Sequence, residues 1–206
     1  MNKILIAVPT FETIYPDTFR SIWNLKKPEG YEVLFDYVRG YDCARARNLI
    51  VDQAKKKDVD YLMMIDNDTV VPEDALEKLV SDDKDVIIGY YAHRNFSPKY
   101  DGRTNLCKLG EFNYNKQYSA AEIAELRDKG ETVIQIHGGG LGCSLIKMSV
   151  FEHINYPYFD WTNYGSGYVL SEDLFFDENL RTHSIPIYAD IRVECGHIFR
   201  YTQYCK

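Results

Sequence analysis

Two carboxylates in the triplet Asp66-Asn67-Asp68 follow an apolar run at residues 59–65. The run reads as a buried parallel strand, so its acidic end lies at the carboxyl edge of a sheet. In open α/β sheets that edge is where ligands bind. Hard oxygen ligands at positions i and i+2 suit Mg²⁺ or Mn²⁺ holding a diphosphate. The competing reading is plain turn chemistry, because Asp and Asn also end strands for local reasons.

Other residue groups carry chemistry at a distance from the triplet. Around residue 45, a helical wheel puts Arg45, Asn48 and Asp52 on one face and Ala46, Leu49, Ile50 and Ala54 on the other, with Arg47 pointing elsewhere. Arg45 and Asn48 lie near a helix N-terminus, which attracts anions, and are read as contacts to a nucleotide or to the aspartate loop. The alternative is a solvated polar face. Glu172-Asp173 opens another helix, where any acid is favoured by the dipole. Asp173, however, shares its sector with Phe176 and Leu180. A carboxylate at a buried helix edge suits a general base, with Glu172 as the alternate. Gly138, Gly139 and Gly140 follow a strand and let backbone approach a ligand or form a bulge. They lack the strand–GxGxxG–helix context of a dinucleotide fingerprint. Arg94 is read as a phosphate neutraliser or a surface residue, and Trp161, Tyr164 and Tyr168 as sugar- or base-stacking aromatics or core.

The elements that must position these groups can be read as well. Strands are expected at residues 3–8 (central, ending at Pro9-Thr10), 31–38, 59–65 and 85–90, alternating with helices at 16–25, 42–57 and 72–80. That alternation argues for a parallel, Rossmann-like sheet. Beyond residue 90 the pattern becomes irregular, with short strands near Leu106 and Phe112. A capping box at Ser119–Glu122 opens a helix ending at Gly130. Further strands are expected at 133–136, 141–147, 186–189 and 192–194. Ser149 and Ser171 start helices, and the tail carries Tyr201 and Tyr204.

Composition narrows the function classes. With 206 residues the chain is read as a single domain spanning 1–206. The net charge of −7 argues against non-specific binding to a phosphate backbone. Seventeen tyrosines suit a wet, aromatic-lined groove. The five cysteines are odd in number, spread out and without a CxxC pair, which suits free thiols. Without a membrane-length apolar run or a signal-peptide pattern, the default expectation is a cytoplasmic protein.

Taken in order, Val8-Pro9-Thr10, Ala44-Arg45-Ala46-Arg47-Asn48, Asp66-Asn67-Asp68 and Ser171-Glu172-Asp173-Leu174-Phe175-Phe176 resemble the GT-A fold glycosyltransferases, most closely the small bacterial and phage family 2 type. The resemblance covers essentially the whole chain. It implies a GT-A type, Rossmann-like α/β/α sandwich with a central, mostly parallel sheet. Residues 1–90 would be the nucleotide-binding half and 91–206 the acceptor-binding half. It implies a nucleotide-sugar donor, UDP-sugar on family frequency, and Mn²⁺ or Mg²⁺ held by Asp66, Asp68 and the late His197. Pro9, Thr10, Arg45, Asn48, Asp66, Asn67 and Gly138–Gly140 would line the donor site, and Asp173 would deprotonate an acceptor hydroxyl with inversion. The acceptor is left open between a carbohydrate, a small molecule and a modified nucleobase. Relatives often carry an Asp-rich turn after the second strand that reads the base; here Arg39-Gly40-Tyr41-Asp42 stands instead. The rival readings are a silent nucleotide-sugar-binding protein and a sugar-1-phosphate nucleotidyltransferase. The latter usually carries a Gly-rich loop where this chain has Pro9-Thr10-Phe11-Glu12-Thr13.

Overall fold

The structure is a computed structural model that describes residues 1–93, 102–110, 116–163 and 169–199. Arg94, the strand expected near Phe112, Tyr164, Tyr168, Tyr201 and Tyr204 lie outside the described residues.

The apolar N-terminal run forms β1 (Asn2–Thr10), followed by α1 (Pro16–Trp23), whose first-turn proline costs no hydrogen bond. Then come β2 (Tyr31–Arg39) and α2 (Cys43–Lys57). Asp42 caps α2 by accepting from the Arg45 N–H at 3.1 Å, and Asp58 ends it in a left-handed conformation, φ 53°. Next are β3 (Tyr61–Ile65), β4 (Thr69–Val70), α3 (Ala75–Ser81) and β5 (Val86–Tyr90). The second half contributes β6 (Arg103–Cys107), β7 (Gln117–Ser119), α4 (Ala120–Asp128), β8 (Val133–Ile136), β9 (Gly138–Gly139) and β10 (Cys143–Lys147). It closes with α5 (Val150–His153), β11 (Thr162–Asn163), β12 (Val169–Leu170), α6 (Glu172–Thr182), β13 (Ile187–Glu194) and β14 (Gly196–His197).

Seven strands build the main sheet in the order β2-β1-β3-β10-β5-β13-β8. Five of them (β2, β1, β3, β5 and β13) run one way, whereas β10 and β8 run against their neighbours. β1 is therefore one strand in from the edge, not central, and the middle position belongs to the antiparallel β10. The Ser119–Glu122 capping box is present with both reciprocal bonds. Ser171 precedes α6 without a side-chain cap. The two strands expected at 186–194 are one, β13, with a register shift between Ala189 and Glu194. There Asp190 is fully buried and held by Arg192, which also reaches Asp82 at 2.7 Å. A polar pair inside an apolar strand hid its continuity.

One core layer lies between the sheet and the side carrying α2, α5 and α6, with Leu5, Ile50, Met64, Phe151 and Phe176 among its members. The other lies under α1 and α3, with Ile6, Ile22, Met63 and Leu76. From β1 the chain goes out to β2, then returns to place β3 on the opposite side. That reversal opens a crevice at the carboxyl ends of β1 and β3, where open sheets take their ligands.

Candidate active site

A cleft of about 580 Å³ lies over this crevice. Of the residues singled out in the sequence, Pro9, Asp66, Asn67, Asp68, Gly140, Asp173 and His197 line it. Thr10, Arg45, Asn48, Gly138, Gly139 and Glu172 do not. Leu174, from the Ser171–Phe176 motif, also lines it, as do Tyr91, Asn105, Gln117 and Val169, which nothing in their sequence pattern marked.

The aspartate loop is fixed from three sides. The Asp66 N–H donates to the Gly142 carbonyl at 3.0 Å, tying the loop to the start of β10. The Asn67 amide donates to the Thr13 carbonyl at 2.8 Å and to the Thr10 hydroxyl at 3.3 Å, and the Tyr15 N–H donates to the Asn67 carbonyl at 3.0 Å. The loops after β1 and β3 are thus stapled together. Beyond Asp68, β4 pairs antiparallel with β14, setting His197 opposite Thr69. Nδ1 of His197 lies 3.1 Å from the Ala92 carbonyl, which can only accept, so Nδ1 donates. Nε2 is left facing Asp68, 3.8 Å from its Oδ1. A carbonyl that fixes one ring nitrogen while the other faces a carboxylate is how proteins orient a metal-ligating imidazole.

Arg47, not Arg45, organises the acidic residues. Its side chain is fully buried. Nη2 donates to Asp66 Oδ1 at 2.8 Å and lies 3.4 Å from Asp173 Oδ1, while Nε lies 3.7 Å from Glu172 Oε1. Arg45 is exposed, with its guanidinium 4.5 Å over the Tyr41 ring. Asn48 is buried and turned to the chain itself: its amide donates to the Ala44 and Phe159 carbonyls, and its oxygen accepts from the Tyr158 N–H at 3.0 Å. It locks the segment before α6 onto α2. The sequence did hold a signal for Arg47. It stands three residues after Ala44, four before Val51 and seven before Ala54, all buried, so it belongs to the inward stripe of α2. A guanidinium there requires carboxylate partners.

Glu172 is the buried structural partner in this cluster, and Asp173 faces the cleft with a fifth of its side chain open. Burial pushes the Asp173 carboxyl up to about 7; Arg47 pulls it down, and Glu172 and Asp66 push it further up. Among the described residues its Oδ1 has no hydrogen-bond partner. One turn on, Asp177 is wholly buried, and burial holds its carboxyl well above the ordinary range, while the Gly139 N–H pulls it down.

Asp177 accounts for two of the glycines. Its Oδ2 accepts from the Gly139 N–H at 2.9 Å, and a Cβ on Gly138 would fall on that carboxyl group. A Cβ on Gly139 would meet the Asn105 carbonyl at 2.9 Å, and one on Gly140 would strike the Tyr91 hydroxyl. The run exists so that β9 can lie against α6, β6 and Tyr91, and Gly140 alone of the three reaches the cleft. Replacing Gly138 by Ala is expected to cost about 1–3 kcal/mol through overpacking. Urea denaturation measures this, and the added Asp177→Ser change should recover much of the loss.

Among the described residues no group of three or more His, Cys, Asp or Glu side chains is disposed to hold a metal ion. Asp66, expected to share in one, gives Oδ1 to Arg47, which leaves Asp68 and His197 as the adjacent pair. The chain matches no family profile and no curated protein sequence. Solved structures do match. A197 from STIV aligns with a TM-score of 0.65 at 20% identity, over 97% of this chain and 87% of that one. GalNAc-T7, solved with UDP, GalNAc and Mn²⁺, aligns with a TM-score of 0.63 at 13% identity over 97% of this chain. The fold is that of the GT-A glycosyltransferases. This chain spans 43% of the GalNAc-T7 chain. Among the described residues no helix is long and apolar enough to cross a membrane.

Proposed function

We propose that this chain is a metal-dependent glycosyltransferase that moves a sugar from a nucleoside-diphosphate donor, UDP-sugar first, to an acceptor hydroxyl with inversion. The observation that carries the reading is the meeting of His197, oriented by Ala92, with Asp68 in the same cleft as Asp173. The GT-A fold and the UDP and Mn²⁺ in the GalNAc-T7 structure support the choice of donor and metal.

A carboxylate and an imidazole suit Mn²⁺. Asp68 and His197 would hold it. When bound, such an ion offsets the charge that grows on a departing diphosphate. The rest falls to the chain itself. Asn67 keeps the aspartate loop against the loop after β1, which holds the crevice open for a nucleotide. Asp173 accepts the proton of the acceptor hydroxyl as that oxygen attacks the anomeric carbon. Arg47 fixes the carboxylate in place, and a carboxyl near pH 7 is well matched to general-base work at neutral pH.

Titration with UDP by calorimetry, with and without Mn²⁺, tests the site. Tight binding that needs Mn²⁺, and that weakens at least about tenfold in both Asp68→Ala and His197→Ala, is expected. Absence of binding to UDP, GDP, CDP and dTDP alike would sink the reading. Retained nucleotide affinity with no turnover of any sugar donor would mark a silent binding protein instead.

A further inference from the structure

Four exposed aromatic residues lie together at one edge of the sheet. β2 is the terminal strand, nine residues long, and among the described residues no strand pairs with its outer side. Beside it Trp23 is 79% exposed, Tyr37 53%, Phe19 47% and Phe35 44%. Phe19 packs edge-on to Phe35 with centroids 6.4 Å apart and lies 6.3 Å from Trp23. Together with Ile6, Ile22 and Val33 these rings line an apolar groove of about 280 Å³ between α1 and β2. A long edge strand with apolar side chains and no strand on its outer side is a template for another strand. Of its N–H groups, that of Tyr37 donates to Asp36 Oδ1 at 2.8 Å and that of Tyr31 to the Pro28 carbonyl at 3.3 Å, and both would exchange these partners on pairing.

We infer that this edge is the homodimer interface, formed by antiparallel pairing of β2 with β2 of a second copy about a two-fold axis through Phe35. The self-complementarity of the strand argues for this occupant. Two-fold pairing is antiparallel, and residues equally spaced on either side of the central residue face each other. With Phe35 at the centre the full nine residues overlap. Phe35 meets its own copy, Val33 meets the partner's Tyr37, and Tyr31 meets the partner's Arg39, an aromatic–guanidinium pair. On the other face Leu34 meets the partner's Asp36 and Glu32 meets the partner's Val38. No like charges face each other.

Both neighbouring registers are penalised. Centring on Leu34 sets Glu32 against the partner's Asp36 twice. Centring on Asp36 sets that carboxylate against itself, with the Lys57 ammonium 3.2 Å from each copy offsetting part of the repulsion. Like charges directly opposite destabilise a ladder. Centring farther out, on Val33 or Tyr37, shortens the overlap. Charge therefore selects the same register that stacks the aromatics. The two seven-stranded sheets join into one, and because their strands run oppositely, the two clefts open at opposite ends of the dimer.

Light scattering on the full chain across a concentration series is the test. A mass of twice 24.0 kDa is expected for the parent protein. Phe35→Lys sets two ammonium groups against each other and is expected to raise the dissociation constant by roughly a hundredfold. Phe35 is half exposed, so the far-ultraviolet circular dichroism of that variant should match the parent, while its melting temperature should lose the concentration dependence that a dimer shows. The register is read separately by mild oxidation. Phe35→Cys should give a disulfide-linked dimer. Asp36→Cys should not, since its two copies would lie more than ~7 Å apart and on the far face. A parent chain that is monomeric up to its solubility limit, a dimer indifferent to Phe35→Lys, or preferred cross-linking through Asp36→Cys would each overturn the inference.

Discussion

Asp173→Asn is expected to lower turnover by about 10²–10⁴-fold while making the protein more stable above neutral pH. The two effects share one cause. Burial raises the Asp173 carboxyl to about 7 in the folded chain, against an ordinary value of 3.8. Between those values the folded state holds a proton that the unfolded state has released. Stability therefore falls as pH rises from about 4 to about 7, and above 7 the whole penalty is present. Amide replacement removes it. At about 1.4 kcal/mol for each pH unit that separates the two values, the gain at pH 8 is on the order of a few kcal/mol, trimmed by the fifth of the side chain that water reaches. Near pH 4 the gain should vanish. Thermal melts of both proteins at pH 4 and 8 measure this. The parent kcat/KM should rise with pH about a midpoint near 7. A variant that keeps full activity, or is destabilised equally at both pH values, would remove Asp173 from the role of base.

Arg47→Met is expected to be the most destabilising single change, at about 3–5 kcal/mol. The guanidinium is the buried cation between Asp66, Glu172 and Asp173, and its loss leaves three carboxylates facing one another. The loss should shrink as pH falls and the carboxylates take up protons. Urea denaturation at pH 8 and pH 5 separates this from a simple packing defect, which would cost the same at both. Arg47 also pulls the Asp173 carboxyl down, so whatever activity survives should show its pH midpoint shifted upward. Arg47→Lys should fall between, since it keeps the charge but loses the planar fork that spans three acceptors. Equal stability of Arg47→Met and the parent at pH 8 would refute the cluster's role.

What was legible in the sequence followed from strong local signals. The strand–helix alternation through residue 90, the Asp66-Asn67-Asp68 turn and the Ser119 capping box each rest on residues a few positions apart. Strand direction does not. A run such as Cys143–Lys147 is apolar whichever way it points, so its antiparallel insertion between β3 and β5 left no mark in the pattern. The partnership of Arg47 with residues 66, 172 and 173 was hidden for a different reason. The helical wheel set Arg47 apart from the face of Arg45, Asn48 and Asp52, and its place in the inward stripe of α2 was readable, but its three carboxylate partners come from distant parts of the chain. The glycine run could be read two ways from sequence, as a ligand loop or a bulge, for a third reason. Its requirement comes from Asp177, Asn105 and Tyr91, none adjacent in the chain.

That glycine wall also decides where the cleft can be redesigned. Gly140, which alone of the three reaches the cleft, admits no side chain, because a Cβ there collides with the buried Tyr91, and Gly138 and Gly139 behind it are held as tightly by Asp177 and Asn105. The wall is fixed in shape for directed evolution as much as for natural drift. Gln117, Val169 and Leu174 face the same space from short strands and the first turn of α6, and Val169 is half exposed. Libraries aimed at changing what the cleft accepts should be built on these three positions, leaving the glycines untouched.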